Sequence, residues 1–446
     1  MKKLIPPLIA LLLMLELSFD ANAQGGLAVP DIHINSEIVY LYNLDEDVLV
    51  YERAADQTAY PASLTKIMTT IVAMENTPNL NSLVTLSVAV QNYLFDYQVR
   101  YGVGVSLAGI SAGEQLPMID LLHSIMLQSG NEAAMAIAEH VAGSQEAFVE
   151  MMNTRAHELG AVNTNFTNAT GLPDPAMVTT ARDMAILTRH AMGLPGFMDI
   201  ANTTSYTAGP TNLGRTLEWG TTIHMQLPGS PFFYPYLSGV KTGTTPQAGR
   251  NLISTASRDG FNYLLVVMRA PFINPETGLQ HDQHFSFIDT RNIYEWAFDT
   301  FSLVPIVERN LRIHEIPLRL SSSQDFLPLE AAESVRAMLA RGTDPQTSVT
   351  RVYELPESVD APISRGESVG YMLLYVEGRQ VGRVELLAAQ SVSISRHLMV
   401  LEQARQVINS FWFRFGIIFV CLLAVSYIIL TIQRNKTRRY RPRRRL

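Results

Sequence analysis

Between residues 24 and 433 the sequence carries 22 arginines and only two lysines, Lys66 and Lys241. Arginine stays protonated at any usable pH, whereas burial and neighbouring cations can drive a lysine towards neutrality. A chain that uses arginine wherever a bare positive charge suffices, yet keeps two lysines, marks those two for proton chemistry. Lys66 closes Pro61-Ala62-Ser63-Leu64-Thr65-Lys66, and Lys241 opens Lys241-Thr242-Gly243-Thr244. Ser129-Gly130-Asn131 lies between them. Ser-x-x-Lys alone is a weak signal, since Ser238 and Lys241 repeat it. The three segments in this order are a specific one.

If Ser63 opens a helix, Lys66 lies one turn later on the same face, within reach of the Ser63 hydroxyl. The helix N-terminus there favours developing negative charge. A lysine with a depressed pKa can take the serine proton and make Ser63 a nucleophile. Ser129 and Asn131 would flank the same cleft, to relay protons or to hold a substrate amide. Lys241, Thr242, Gly243 and Thr244 read as a strand edge to which an extended substrate can add, with Gly243 allowing its backbone to come close. The N–H groups of Ser63 and Thr244 would hold the oxyanion. Singly, Ser63 is explained as a helix cap and 129–131 as an ordinary turn. Jointly they describe serine acyl transfer, which needs no metal and no cofactor.

The elements that must position these residues follow from the hydropathy pattern. Residues 38–42 and 48–51 read as strands around the turn Asp45-Glu46-Asp47, and a helix begins near Ser63. Residues 118–142 and 145–159 have helical spacing, 264–268 is a short apolar strand, and 285–298 a helix. This predicts a mixed α/β domain over about 36–304, bounded near Pro305. A small β-rich domain follows, with a hairpin of 369–376 and 381–387 around Glu377-Gly378, and then an amphipathic helix from Ser395 to Phe413. Trp219 to Pro235, rich in Pro, Gly and aromatics, is either a loop rimming the cleft or an insertion.

The two ends set the compartment. Met1-Lys2-Lys3, an apolar run to about Leu15 and Ala21-Asn22-Ala23 form a secretory signal over 1–23. Phe415 to Ile432 holds 18 residues without a charge, which as a helix spans about 27 Å, close to the hydrocarbon core. Aromatics at 411–413 precede it, and residues 434–446 hold eight basic residues and no acidic one. The tail is therefore expected in the cytoplasm and all before the span outside. The stretch 24–433 carries 24 basic against 39 acidic residues, which argues against nucleic acid as a partner. The single cysteine, Cys421, excludes an intrachain disulfide and a cysteine metal site.

Ser63-x-x-Lys66, Ser129-x-Asn131 and Lys241-Thr242-Gly243 form the motif set of penicillin-binding proteins and serine β-lactamases. The chain resembles low-molecular-mass penicillin-binding proteins of the D-alanyl-D-alanine carboxypeptidase type from about 36 to 390. Leu127 to Ala134, Phe166-x-Asn168-x-x-Gly171-Leu172, Thr180 to Met184 and Gly239 to Gly249 extend the match. The resemblance implies a transpeptidase-like α/β fold: an antiparallel sheet with helices on both sides and an all-helical cluster. It implies a catalytic domain at 24–304 and a small β-rich domain at 305–392. The linker helix at 393–414, the transmembrane helix at 415–433 and the basic tail at 434–446 are read from hydropathy and charge, a true span where many relatives anchor by an amphipathic helix. The resemblance also implies an enzyme of cell-wall biogenesis that removes the terminal D-alanine of the peptidoglycan stem pentapeptide through an acyl-serine and is acylated by β-lactams. A cross-link-cutting endopeptidase with the same site and an inactive wall-binding scaffold are the alternatives. A class A β-lactamase is disfavoured, because no Glu in 131–241 is followed four residues later by Asn. The family often places a carboxylate-binding arginine where this chain has Ser286-Phe287-Ile288-Asp289, so Arg250 and Arg269, with Arg291, are the candidate substitutes.

Overall fold

The computed structural model describes residues 24–101 and 104–439. The expected signal segment 1–23, and the basic tail from residue 440, lie outside the described residues. The chain divides between Ser302 and Leu303 into two compact units.

The first unit is built on six strands: β1 (Gln24–Gly26), β2 (Ile38–Asn43), β3 (Val48–Arg53), β4 (Leu237–Thr245), β5 (Gly249–Arg258) and β6 (Phe261–Ala270). Their order is β1-β3-β2-β6-β5-β4, antiparallel throughout. β2 explains itself by period: Ile38, Tyr40 and Tyr42 point into the main core, and Val39 and Leu41 are buried on the opposite face. A strand buried on both sides needs no polar alternation, which is why 38–42 reads as a continuous apolar run. One side is covered by the helical cluster α1 (Thr65–Asn76), α2 (Val88–Tyr101), α3 (Met118–Leu127), α4 (Asn131–Ala142), α5 (Gln145–Glu158) and α6 (Ala181–Met192). α7 (Phe285–Thr300) packs on β5, where the buried Tyr294 hydroxyl donates to Ser254 O at 2.8 Å.

The helix expected over 118–142 is two helices. The break falls at Gln128–Gly130, where Ser129 has φ of 63°, a left-handed conformation that no helix continues through. Gly130 is there because a Cβ would lie 2.6 Å from Ser124 Oγ and 2.9 Å from Ala108 Cβ. The segment 286–289 that lacks the arginine carries a buried anchor instead: Asp289 accepts from Asn35 N and Nδ2 and from Ser36 N and Oγ, at 2.6–3.1 Å.

In the second unit β7 (Arg312–Arg319), β8 (Phe326–Ala331), β9 (Val349–Glu354), β10 (Val359–Asp360), β11 (Ser368–Val376) and β12 (Arg379–Ala388) form a sheet of order β9-β11-β12-β8-β7-β10. β11 and β12 are the expected hairpin. The amphipathic stretch ends at Asn409 as α8 (Arg396–Asn409); Ser410 leaves the helical conformation, and α9 (Phe411–Arg439) starts directly after it. Within Phe411–Asn435 of α9 an 18-residue window reaches a mean hydropathy of 2.7 and none of it is buried, as fits a membrane span.

Candidate active site

Ser63 sits in the single 3-10 turn Ala62–Leu64 that runs into α1, rather than inside the helix. Ala62 ahead of it has φ of 49°, a strained value for a residue with a Cβ. The turn is over-determined from two sides. A Cβ on Gly171, itself at φ 81°, would stand 1.9 Å from Ala62 O. A Cβ on Gly243 would stand 2.8 Å from Pro61 O and 3.2 Å from Ser63 N. Only glycines allow a loop and a strand to press this closely on the serine's backbone. Asn251 on β5 reinforces the contact, donating to Tyr60 O at 3.0 Å and Pro61 O at 3.3 Å.

Lys66 lies three residues on, fully buried. Its Nζ is 3.2 Å from Ser63 Oγ, 2.8 Å from Asn131 Oδ1 and 2.5 Å from Thr170 O. Burial holds its pKa well below the ordinary lysine value; Lys241 lowers it further and Glu132 raises it. Lys241, also fully buried, is pushed down to about 7 by desolvation. Thr170 O is presented by a turn wound on Asn168, whose Oδ1 accepts from the backbone of Thr170, Gly171 and Leu172 and from the Thr170 hydroxyl. Reasoning from the three motifs missed Thr170; the Asn168-x-x-Gly171 spacing was its signal.

The break between α3 and α4 brings the middle motif to the same place. Asn131 opens α4 with its side chain on Lys66, and the buried Ser129 Oγ has no hydrogen-bond partner among the described residues. Lys241 to Thr244 lie on β4, an edge strand of the sheet, so one side of their backbone is unpaired by the sheet. Thr242 Oγ1 is 2.6 Å from Thr222 Oγ1, a neighbour that the sequence did not flag. The aromatic stretch 219–235 is packed rather than loose: Trp219 Nε1 donates to Ala108 O at 2.8 Å, and Phe232 meets Phe287 edge to face at 5.4 Å. A cleft of about 470 Å³ opens here, lined among others by Ser63, Tyr97, Ser106, Asn131, Thr170 and Thr244.

Arg250 lies opposite Thr244 on the neighbouring strand. Its guanidinium donates to Gln283 O and His281 O and stands over Phe272. Arg269 pairs with Glu37 at 3.1 Å, and Arg291 donates to Phe233 O.

A family model described as D-alanyl-D-alanine carboxypeptidase matches residues 25–271, and one described as penicillin-binding protein 5, C-terminal domain, matches 301–393. The chain is similar to the D-alanyl-D-alanine carboxypeptidase DacF of Bacillus subtilis, with 25% identity over 90% of this chain and 98% of that protein. It is similar to DacC of Escherichia coli, with 28% identity over 83% of this chain and 87% of that protein. Among solved structures, penicillin binding protein 5 from Haemophilus influenzae covers 82% of this chain and 100% of its own, with a TM-score of 0.58 and 25% identity.

Proposed function

The chain belongs to the D-alanyl-D-alanine carboxypeptidase family, and from that premise we propose that Ser63 is its acylated nucleophile and Lys66 the general base. The observation that carries this is one distance in one environment: Lys66 Nζ, fully buried, 3.2 Å from Ser63 Oγ. Burial and the second lysine favour the neutral amine. It takes the Ser63 proton as Oγ attacks the carbonyl carbon of the penultimate D-alanine. Asn131 holds Lys66 in place. Ser129, with its hydroxyl unengaged, passes a proton to the amine of the departing terminal D-alanine. Water then cleaves the Ser63 ester and frees the shortened stem peptide. Lys241, Thr242, Gly243 and Thr244 are the strand on which the substrate lies, with the Ser63 and Thr244 N–H groups facing the oxyanion.

A β-lactam enters the same path, because its strained amide also acylates Ser63. Mass spectrometry after penicillin treatment is expected to find the adduct on the Ser63 peptide; an adduct on Ser129 or Ser238 would overturn the assignment. Arg250 and Arg269 are the proposed readers of the substrate carboxylate. Pentapeptide acid should be preferred to its amide, and Arg250→Gln or Arg269→Gln should abolish that preference while penicillin still binds. The region 24–304 is the proposed catalytic domain and 305–392 a β-rich spacer. The span at 415–433 anchors both on the outer side of the membrane, with the basic tail inside.

A further inference from the structure

Glu132 follows the middle motif and has no part in the scheme above, yet it is a buried carboxylate next in sequence to Asn131, which contacts Lys66, and its charge is felt at that lysine. Its Oε1 accepts from Ala108 N at 2.6 Å and from Ile110 N at 3.3 Å, while Oε2 is buried without a hydrogen-bond partner among the described residues. Those two N–H groups belong to the segment 104–110, whose Ser106 and Val105 line the cleft. The same segment is held by Asn131 N, which donates to Ser106 O at 3.0 Å, and by the indole of Trp219 on Ala108 O. Glu132 thus joins the cleft wall to the residue that orients Lys66.

We infer that Glu132 is a positioning residue for acylation: it fixes the cleft wall at Ala108 and Ile110 and supplies the negative charge that faces Lys66. This rests on the acyl-serine reading. Burying a carboxylate is costly unless it is hydrogen-bonded or opposed by a cation. Glu132 has the first compensation in its backbone donors, with the first turn of α4 behind them, and gains the second only when Lys66 is protonated. Its burial raises its own pKa, which the backbone N–H groups oppose. Lys66 is the cation on α1, and Lys241 on β4 acts on that same amine. The segment 104–110 has no titratable side chain. Asp120 of α3 is bonded to Tyr206, and His123 is stacked on the same ring. Asp96 and Arg100 of α2 are exposed, and Arg155 of α5 pairs with Glu75 on the surface.

The sign of the effect follows. Glu132 favours protonated Lys66 and opposes Lys241, so without its charge Lys66 deprotonates at lower pH. The experiment follows acylation of the full-length protein by fluorescent penicillin from pH 5 to pH 10 in wild type, Glu132→Gln and Glu132→Ala, with melting temperatures as the check on folding. Glu132→Gln keeps an acceptor for Ala108 and Ile110 but loses the charge. Its acidic limb is expected to move to lower pH, a shift that a merely structural role would not produce. Glu132→Ala also releases the wall and should need a higher penicillin concentration for the same rate. A Glu132→Gln profile that superimposes on the wild type would overturn the inference. Wild type that takes no label on Ser63 would sink the acyl-serine reading, and this inference with it. If Glu132→Ala fails to fold, Glu132→Gln decides alone.

Discussion

The two lysines are buried for different ends, and each end has its own test. In the proposed role Lys66 loses a proton, which an arginine does not do. Lys66→Arg keeps the charge and much of the length, so its acylation rate should fall by roughly 10²–10⁴, the worth of a positioned base. Near-normal acylation by penicillin would refute the role. Lys241 titrates near 7 in the fold, against 10.5 for an ordinary lysine. Between those values the unfolded chain binds one more proton than the folded one, so stability rises with pH across that window. Below about 7 both states are protonated and the fold carries the full cost of a buried cation. Lys241→Met, apolar and similar in length, should therefore raise the melting temperature at pH 6. The gain should shrink as the pH is taken towards 10. A gain equal at both pH values would mean that the lysine is not desolvated as described. Arg250 was a candidate by its place in the sequence alone. In the fold its guanidinium also serves two carbonyls of the 281–283 turn.

At the scale of elements the site is a meeting of one turn, one loop and one strand, each shaped so that backbones touch. Gly243 carries the strand against the Ser63 turn, and what a Cβ would meet is backbone that cannot swing aside: Pro61 O, Leu64 N and Ser63 N within 2.8–3.2 Å. Gly243→Ala should push β4 off the turn, costing about 1–3 kcal/mol as overpacking does. Acylation should drop at least about tenfold, which is 1.4 kcal/mol of barrier. Denaturant melts and penicillin labelling measure the two effects, and unchanged values in both would show that the strand has slack. The α3–α4 break works in the opposite sense. It interrupts regular structure so that Ser129 falls in the turn and Asn131, opening α4, accepts from Lys66 Nζ. Helical periodicity ran unbroken through 118–142, because Gln128 and Ser129 do not disrupt an apolar pattern. The interruption brings Gly130 against Ser124 of α3 and against Ala108, which lies outside the stretch and which its periodicity does not register.

For the whole molecule the expectation concerns topology. α9 offers an unburied apolar span, and basic residues follow it. Protease added to intact spheroplasts should release or digest the penicillin-binding domain, and a chain truncated after residue 392 should keep its penicillin binding in the soluble fraction. A domain protected until the membrane is broken would invert the orientation. The truncation is reasonable because the unit ending at Ser302 has its own core, built from the sheet and the helical cluster.

By itself the sequence determined the family's activity and the class of fold, and it singled out the residues proposed to carry the chemistry. Ser63, Lys66, Ser129, Asn131 and Lys241 stood out because proton transfer and nucleophilic attack admit few residue types, and because the scarcity of lysine made two of them conspicuous. The strands of the sheet and the hairpin of the second unit were legible because burial imposes its period on residues near in sequence. Only the tertiary structure decided what surrounds those groups. Thr170 enters through its carbonyl oxygen, which every residue possesses, so its identity carries no signal. Thr222 and Glu132 matter through partners 20 to 24 residues away in sequence. Gly171 and Gly243 matter because a particular backbone passes within van der Waals distance. The protonation of Lys66 depends on desolvation and on charges brought from α4 and β4, and neither exists until the chain has folded around it.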